Sequence, residues 1–137
     1  MRRMAIILLS IGFAAAMSAA EPKDKFTEYF EKLTTNSAPY RNCGRVAIGG
    51  SRVQSDNCVL QAFAAGEAFF VRYDKQGIDS NVAEGLVLSH EKSLAIIHFD
   101  DWSCSTPYCT RSESCGSPKI TRTKNGIHVQ CSNEYDP

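Results

Sequence analysis

The 137-residue chain is 43% hydrophobic and 22% charged, and its 15 Lys and Arg balance 15 Asp and Glu. That neutrality supplies none of the basic surface that nucleic-acid binding or adhesion to an anionic membrane requires, so neither is expected. Six cysteines in a chain this short point instead to an oxidising compartment and covalent bracing.

The opening residues MRRMAIILLSIGFAAAMSAAEP combine basic Arg2 and Arg3, an apolar run from Ala5 to Met17, and the small residues Ser18, Ala19 and Ala20. This is the layout of a secretory leader, with cleavage expected after Ala20. The run falls short of the ~20 apolar residues that span a bilayer comfortably. No later apolar segment reaches that length, and no cysteine stands at the cleavage point for lipid attachment. The expected organisation is a signal peptide over 1–20 and one exported domain over 21–137, in the periplasm or secreted, with no stable membrane insertion after cleavage. Loss of Arg2 and Arg3 leaves that domain slightly acidic, because every Asp and Glu lies beyond the leader.

After a charged stretch over 21–25, Phe26, Tyr29, Phe30 and Leu33 recur at the spacing of one helix face. Asp24 suits the N-cap, and the Thr, Asn, Ser and Pro residues over 34–39 end the pattern. Arg45 to Ile48 reads as a short edge strand before a turn at Gly49-Gly50-Ser51. A second helix is expected from Ser55 as cap, with Asp56 at its positive end. Cys58, Val59, Ala62 and Phe63 form its apolar stripe, and Gly66 stops it.

From Ala68 the period changes toward two. Ala68–Tyr73, Val82–Leu88 and Leu94–Phe99 read as strands, with Gly85 marking a bulge or a close approach. The turns at Asp74–Gly77 and Ser89–Lys92 are short enough for an antiparallel meander. A last hairpin is expected from Lys119–Lys124 and Ile127–Cys131 around Asn125-Gly126, a pair suited to a two-residue turn. It would set Lys124 against Ile127, Thr123 against His128, Arg122 against Val129 and Ile120 against Cys131. One face then carries Ile120, Ile127, Val129 and Cys131, and the other carries Thr121, Thr123, His128 and Gln130. The expected fold class is α+β: one or two helices packed on an antiparallel sheet of about four to five strands, stabilised by disulfides.

The cysteine-rich segment DDWSCSTPYCTRSESCGSP has too few aliphatics to hold itself by burial, so covalent closure is expected there. The favoured pairing is Cys43–Cys58, Cys109–Cys115 and Cys104–Cys131. The permutation Cys104–Cys109 with Cys115–Cys131 stands beside it, since sequence does not select a connectivity. No Cys-x-x-Cys pair occurs, which argues against both a zinc site and a thioredoxin-like centre. The even count leaves no thiol for a cysteine nucleophile. Gly49-Gly50 sits in no phosphate-binding motif, and no cofactor or metal is expected.

Acid–base candidates are His90, His98, His128, Asp100 and Asp101. His98 alternates with Leu94 and Ile96, so it reads as a histidine in or beside the core. Asp100 and Asp101 suit a turn start. Ser103 and Ser105 lie in no nucleophile elbow. Trp102, Tyr108 and Arg111 are residue types that anchor interfaces, and a disulfide lowers the cost of ordering the loop presenting them. The expected function is a small exported binding or inhibitory module that recognises a protein or cell-envelope component through this loop. The alternative is a small periplasmic or secreted hydrolase using His/Asp chemistry.

Overall fold

A computed structural model of the chain describes residues 23–35, 38–102 and 104–132. The expected leader and Ser103 lie outside them. Helix α1 spans Lys25–Thr34, and its start is the expected one: the Asp24 carboxylate accepts the Thr27 N–H at 2.8 Å. Phe26 and Phe30 are buried, so the aromatic face of this helix belongs to the core.

Helix α2 spans Val53–Ala65 and begins earlier than Ser55. Arg52 holds the N-cap position with no side-chain cap, and Ser55 and Asp56 are buried inside the first turn. The reason lies in Asp56, whose carboxylate points inward to accept the Tyr73 hydroxyl at 2.8 Å. Gly66 ends the helix as expected, in the left-handed region at φ 64°. Its N–H reaches the Phe63 carbonyl, and the Glu67 N–H reaches that of Ala62.

The strands are β1 (Arg41–Val46), β2 (Phe69–Gln76), β3 (Asn81–Leu88), β4 (Leu94–Asp100), β5 (Thr110–Cys115), β6 (Lys119–Thr123) and β7 (Gly126–Gln130). The first five form one sheet in the order β1-β2-β3-β4-β5, and β6 and β7 form a separate hairpin. The fold is the expected α+β arrangement, two helices on a five-stranded sheet braced by disulfides. The expected meander holds from β2 to β4 and continues into β5, a strand that was not expected; β1 runs parallel to β2, so the sheet is mixed. The cause is α2, which carries the chain from β1 across the sheet face and returns it in the same direction.

Alternation in β2, β3 and β4 gives the sheet two apolar faces. Phe26 and Phe30 of α1 pack on Ala83, Val87, Ile97 and Phe99. On the opposite face, α2 and the hairpin cover Phe69, Val71, Leu86, Leu88 and Leu94. Gly85 carries no bulge, since its pairing with Arg72 and Ile97 is continuous. It marks a close approach instead: a Cβ there would stand 2.4 Å from the Phe30 ring and 3.0 Å from the Phe26 ring.

The hairpin register differs from expectation by two residues: Ile120 faces Val129, Arg122 faces Ile127 and Thr123 faces Gly126. The turn therefore falls on Lys124-Asn125. A slip of two preserves which side chains share a face, so the apolar face survives. Gly126 serves close packing as well as chain reversal, because a Cβ there would lie 2.9 Å from both the Arg52 guanidinium and the Asp56 carboxylate.

The disulfides are Cys43–Cys58, Cys104–Cys109 and Cys115–Cys131. The first is the expected one. The other two correct the favoured Cys109–Cys115 and Cys104–Cys131 to their permutation. The physical reason is β5, which lies in the segment expected to be a closed loop. An extended strand of this length separates its ends by ~20 Å, whereas bridged cysteines need Cα atoms within ~7 Å. Cys109 immediately precedes that strand and Cys115 ends it, so they cannot meet.

Gly85→Ala should lower the unfolding free energy by about 1–3 kcal/mol, the usual cost of overpacking a core, in urea titrations of the oxidised protein. An unchanged midpoint would contradict the tight seat of α1 on β3.

Candidate functional site

Alternation in β2 turns Arg72 toward α1, where it is 6% exposed beneath the Phe26 ring, its guanidinium carbon 5.0 Å from the ring centroid. Arg72 Nη1 and Nη2 each donate to Asp24 at 2.7 Å, and Nε donates to Asp74 Oδ1 at 2.6 Å. The other Asp74 oxygen accepts from Arg45 Nε at 2.6 Å. A guanidinium suits this position because its planar fork satisfies two carboxylates at once. Asp24 thus caps α1 and pins it to the sheet. Burial by itself would raise the Asp24 pKa, but the Arg72 hydrogen bond and charge, with the Thr27 N–H, hold it well below the ordinary carboxylate range.

This charged cluster forms one wall of a cleft of about 600 Å³ whose lining includes Lys25, Ile48, Lys75, Val82 and Phe99. Gln76, Gly77, Ser80 and Val82 also border a second concavity, of about 380 Å³, that contains Ile78 and Trp102. Ile78 is 95% exposed, Trp102 78% and Ile48 57%. Three of the five large hydrophobics exposed among the described residues therefore border adjoining clefts at one end of the sheet. There the exit of β1, the β2–β3 turn and the loop after β4 meet. Clustered exposed apolar side chains of this kind mark interaction sites more than scattered ones do.

The loop that presents Trp102 is held at several points. Asp101 accepts the Asn81 backbone N–H at 2.8 Å and its side-chain amide at 2.6 Å. Asp100 accepts the Trp102 N–H at 3.0 Å. The Cys104–Cys109 bridge closes the loop, and Lys25 Nζ rests 3.6 and 3.7 Å from its two sulfurs. Asp100 and Asp101 thus do the turn-forming work that the sequence suggested.

The three expected binding residues diverge. Trp102 is at the cleft. Tyr108 is half-buried against Tyr29, with ring centroids 5.7 Å apart and Lys32 Nζ 5.3 Å from the Tyr108 ring centre. Arg111 lies on β5, opposite His98 and 3.0 Å from Glu113. Sequence reasoning missed Ile48 and Ile78. The signal for Ile78 was an isoleucine inside the turn sequence QGIDS, where a soluble turn has no use for a large aliphatic.

The acid–base candidates also separate. His90 contacts the Ala38 carbonyl at 2.9 Å. His98 stands between Glu84 and Glu113, at 3.8 and 3.5 Å, and shares a cavity of about 270 Å³ with His128, Arg52 and Tyr73. His98, Asp100 and Ser105 border another concavity of about 480 Å³, yet among the described residues no hydrogen bond joins them. Burial, then the hydrogen bond to Asp56, raises the Tyr73 pKa, so this phenol stays protonated. Among the described residues no group of three or more His, Cys, Asp or Glu is placed to hold a metal ion. All six cysteines are paired, and among the described residues no helix is long and apolar enough to cross a membrane.

Because the folded-state pKa of Asp24 is depressed, its stabilisation is present above the ordinary carboxylate value of ~3.9 and is lost as pH falls below it. Thermal unfolding followed between pH ~5 and ~2 should show a steeper acid limb for the wild type than for Asp24→Asn. Parallel limbs would contradict the role given to Asp24. Comparison with family models, with curated proteins and with solved structures finds no match to this chain.

Proposed function

We propose that this protein is a small exported binding module that engages a protein or cell-envelope component at the Ile48–Ile78–Trp102 end of its sheet. The observation that carries the reading is the convergence of those three exposed side chains around adjoining clefts on a covalently closed frame. A rigid aromatic beside an aliphatic side chain is the usual chemistry of an interface anchor, and a preorganised loop lowers the entropy lost on binding. Export is supported by the leader-like start and by three disulfides, which persist in oxidising compartments; the destination proposed is the periplasm or the medium.

The cleft also suggests the chemistry of the partner. Lys25 makes no ion pair among the described residues, and Lys75, Arg45 and Arg72 add cationic character to a wall that also holds Asp24 and Asp74. The fitting ligand is a segment with an apolar side chain for Trp102 and Ile78, followed by a carboxylate for Lys25.

A hydrolase using His98 and Asp100 is the second reading, and it draws on the concavity that these residues share with Ser105. It is weaker because the Asp100 carboxylate is engaged by the Trp102 N–H.

In capture from an envelope fraction by the oxidised protein, Trp102→Ala with Ile78→Ser should weaken retention of the dominant partner at least about thirtyfold, the loss of one interface hot spot. Tyr108→Ala and His98→Ala should leave it within a few-fold. Retention unchanged by the double substitution, with native disulfides and circular dichroism, would sink this assignment. Loss caused by His98→Ala alone would favour the second reading.

A further inference from the structure

The two edges of the main sheet are built differently. At β1 the register slips between Asn42 and Arg45, Gly44 sits at φ 88°, and the Asn42 side chain takes the Gly44 N–H at 2.8 Å. An irregular edge that carries Arg41 and Arg45 is blunted against further strands. The opposite edge, β5, pairs with β4 without a slip from Thr110 to Cys115 and contains neither proline nor lysine. It is also clamped at both ends, by Cys104–Cys109 just before it and by Cys115–Cys131 at its last residue.

The ladder shows which groups of β5 are open. The Asp100 N–H donates to the Cys109 carbonyl, so alternation gives Arg111 and Glu113 the bonds to β4 and turns the backbone of Thr110, Ser112 and Ser114 outward. Thr110 is already occupied: the Thr106 hydroxyl accepts its N–H at 2.9 Å and donates to its carbonyl at 3.1 Å. That hydroxyl stands where a neighbouring strand would bond. Ser112 and Ser114 have no such stand-in among the described residues.

We propose that β5 is a self-pairing edge, and that two copies of this chain join there antiparallel into one continuous sheet. The charges choose the register. With Ser112 opposite Ser112 of the second copy, the two Ser112 backbones exchange both bonds, Ser114 meets the already occupied Thr110, and Arg111 falls opposite Glu113 of the second copy on each side of the dyad. The neighbouring allowed register, centred on Glu113, pairs Ser112 with Ser114 twice but sets two carboxylates against each other at the dyad, and the two opposite-charge pairs decide against it. Direct cross-strand neighbours of opposite charge stabilise a pair and like charges oppose it, and a two-fold axis repeats each contact. Within one copy Arg111 and Glu113 are exposed and 3.0 Å apart, so both reach the dyad without leaving the surface. This surface lies apart from Ile78 and Trp102, and self-pairing and partner capture are separable.

Sedimentation equilibrium on the oxidised protein tests the proposal. The wild type should show a monomer–dimer equilibrium. Glu113→Arg and Arg111→Glu should each weaken dimerisation at least about tenfold, and the double swap R111E/E113R should restore it to within a few-fold. Ser112→Pro removes an outward N–H, which an edge strand tolerates. It should give a monomer with unchanged circular dichroism and undiminished capture through Trp102. A wild type that stays monomeric up to its solubility limit would overturn the proposal, as would a dimer indifferent to both the swaps and Ser112→Pro.

Discussion

One buried guanidinium organises the end of the sheet where the clefts lie. Arg72 lies buried on β2 beneath α1, and a charge so placed is tolerated only when it is paired and hydrogen-bonded. Asp24 and Asp74 meet that condition from two different elements. Removing either carboxylate strips the buried guanidinium of part of its compensation and so destabilises the fold. A ten-residue helix does not persist by itself in water. Here Phe26 and Phe30 supply the burial, and the Asp24–Arg72 pair fixes where the helix starts over the sheet. The cleft beside them inherits its shape from that contact.

The disulfides act on a different problem. Core burial organises both sheet faces, but little apolar surface is available between Asp101 and Pro118, where most side chains are small or polar. Cys104–Cys109 and Cys115–Cys131 bracket β5, and Cys43–Cys58 ties β1 to α2. Closing short loops restricts the unfolded chain and holds strands that burial alone would leave loose. A regular edge strand and an exposed tryptophan can therefore sit at the surface without depending on a core of their own. The bracing would serve both the proposed recognition end and the proposed self-pairing edge, although the two face different parts of the surface.

Much of the fold was legible in residue order. The spacing of Phe26, Phe30 and Leu33, the cap at Asp24 and the stop at Gly66 all follow local rules that tertiary packing did not override. Gly85 was legible as an irregularity, and its cause, two phenyl rings overhead, was visible only in three dimensions. What escaped was set by contacts between distant segments. β5 has no apolar alternation, so its strand character comes from pairing with β4, and without it the cysteine connectivity pointed the wrong way. Ser55 lost its capping role because Tyr73 claims Asp56. Of the three residues expected to bind, only Trp102 borders the clefts at the end of the sheet. Tyr108 and Arg111 share its loop region in sequence, but strand pairing and packing on α1 carry them to other surfaces.

Placing the recognition surface at one end of the sheet is most directly tested by photo-crosslinking from two exposed positions. Leu33 is 37% exposed near the end of α1, which runs from Arg72 back toward the start of β2, and serves as the control at the other end of the sheet. A benzophenone side chain at position 78 should crosslink the captured envelope partner, and the same group at position 33 should leave it unmodified. Equal crosslinking from both positions, or crosslinking from position 33 alone, would contradict the account.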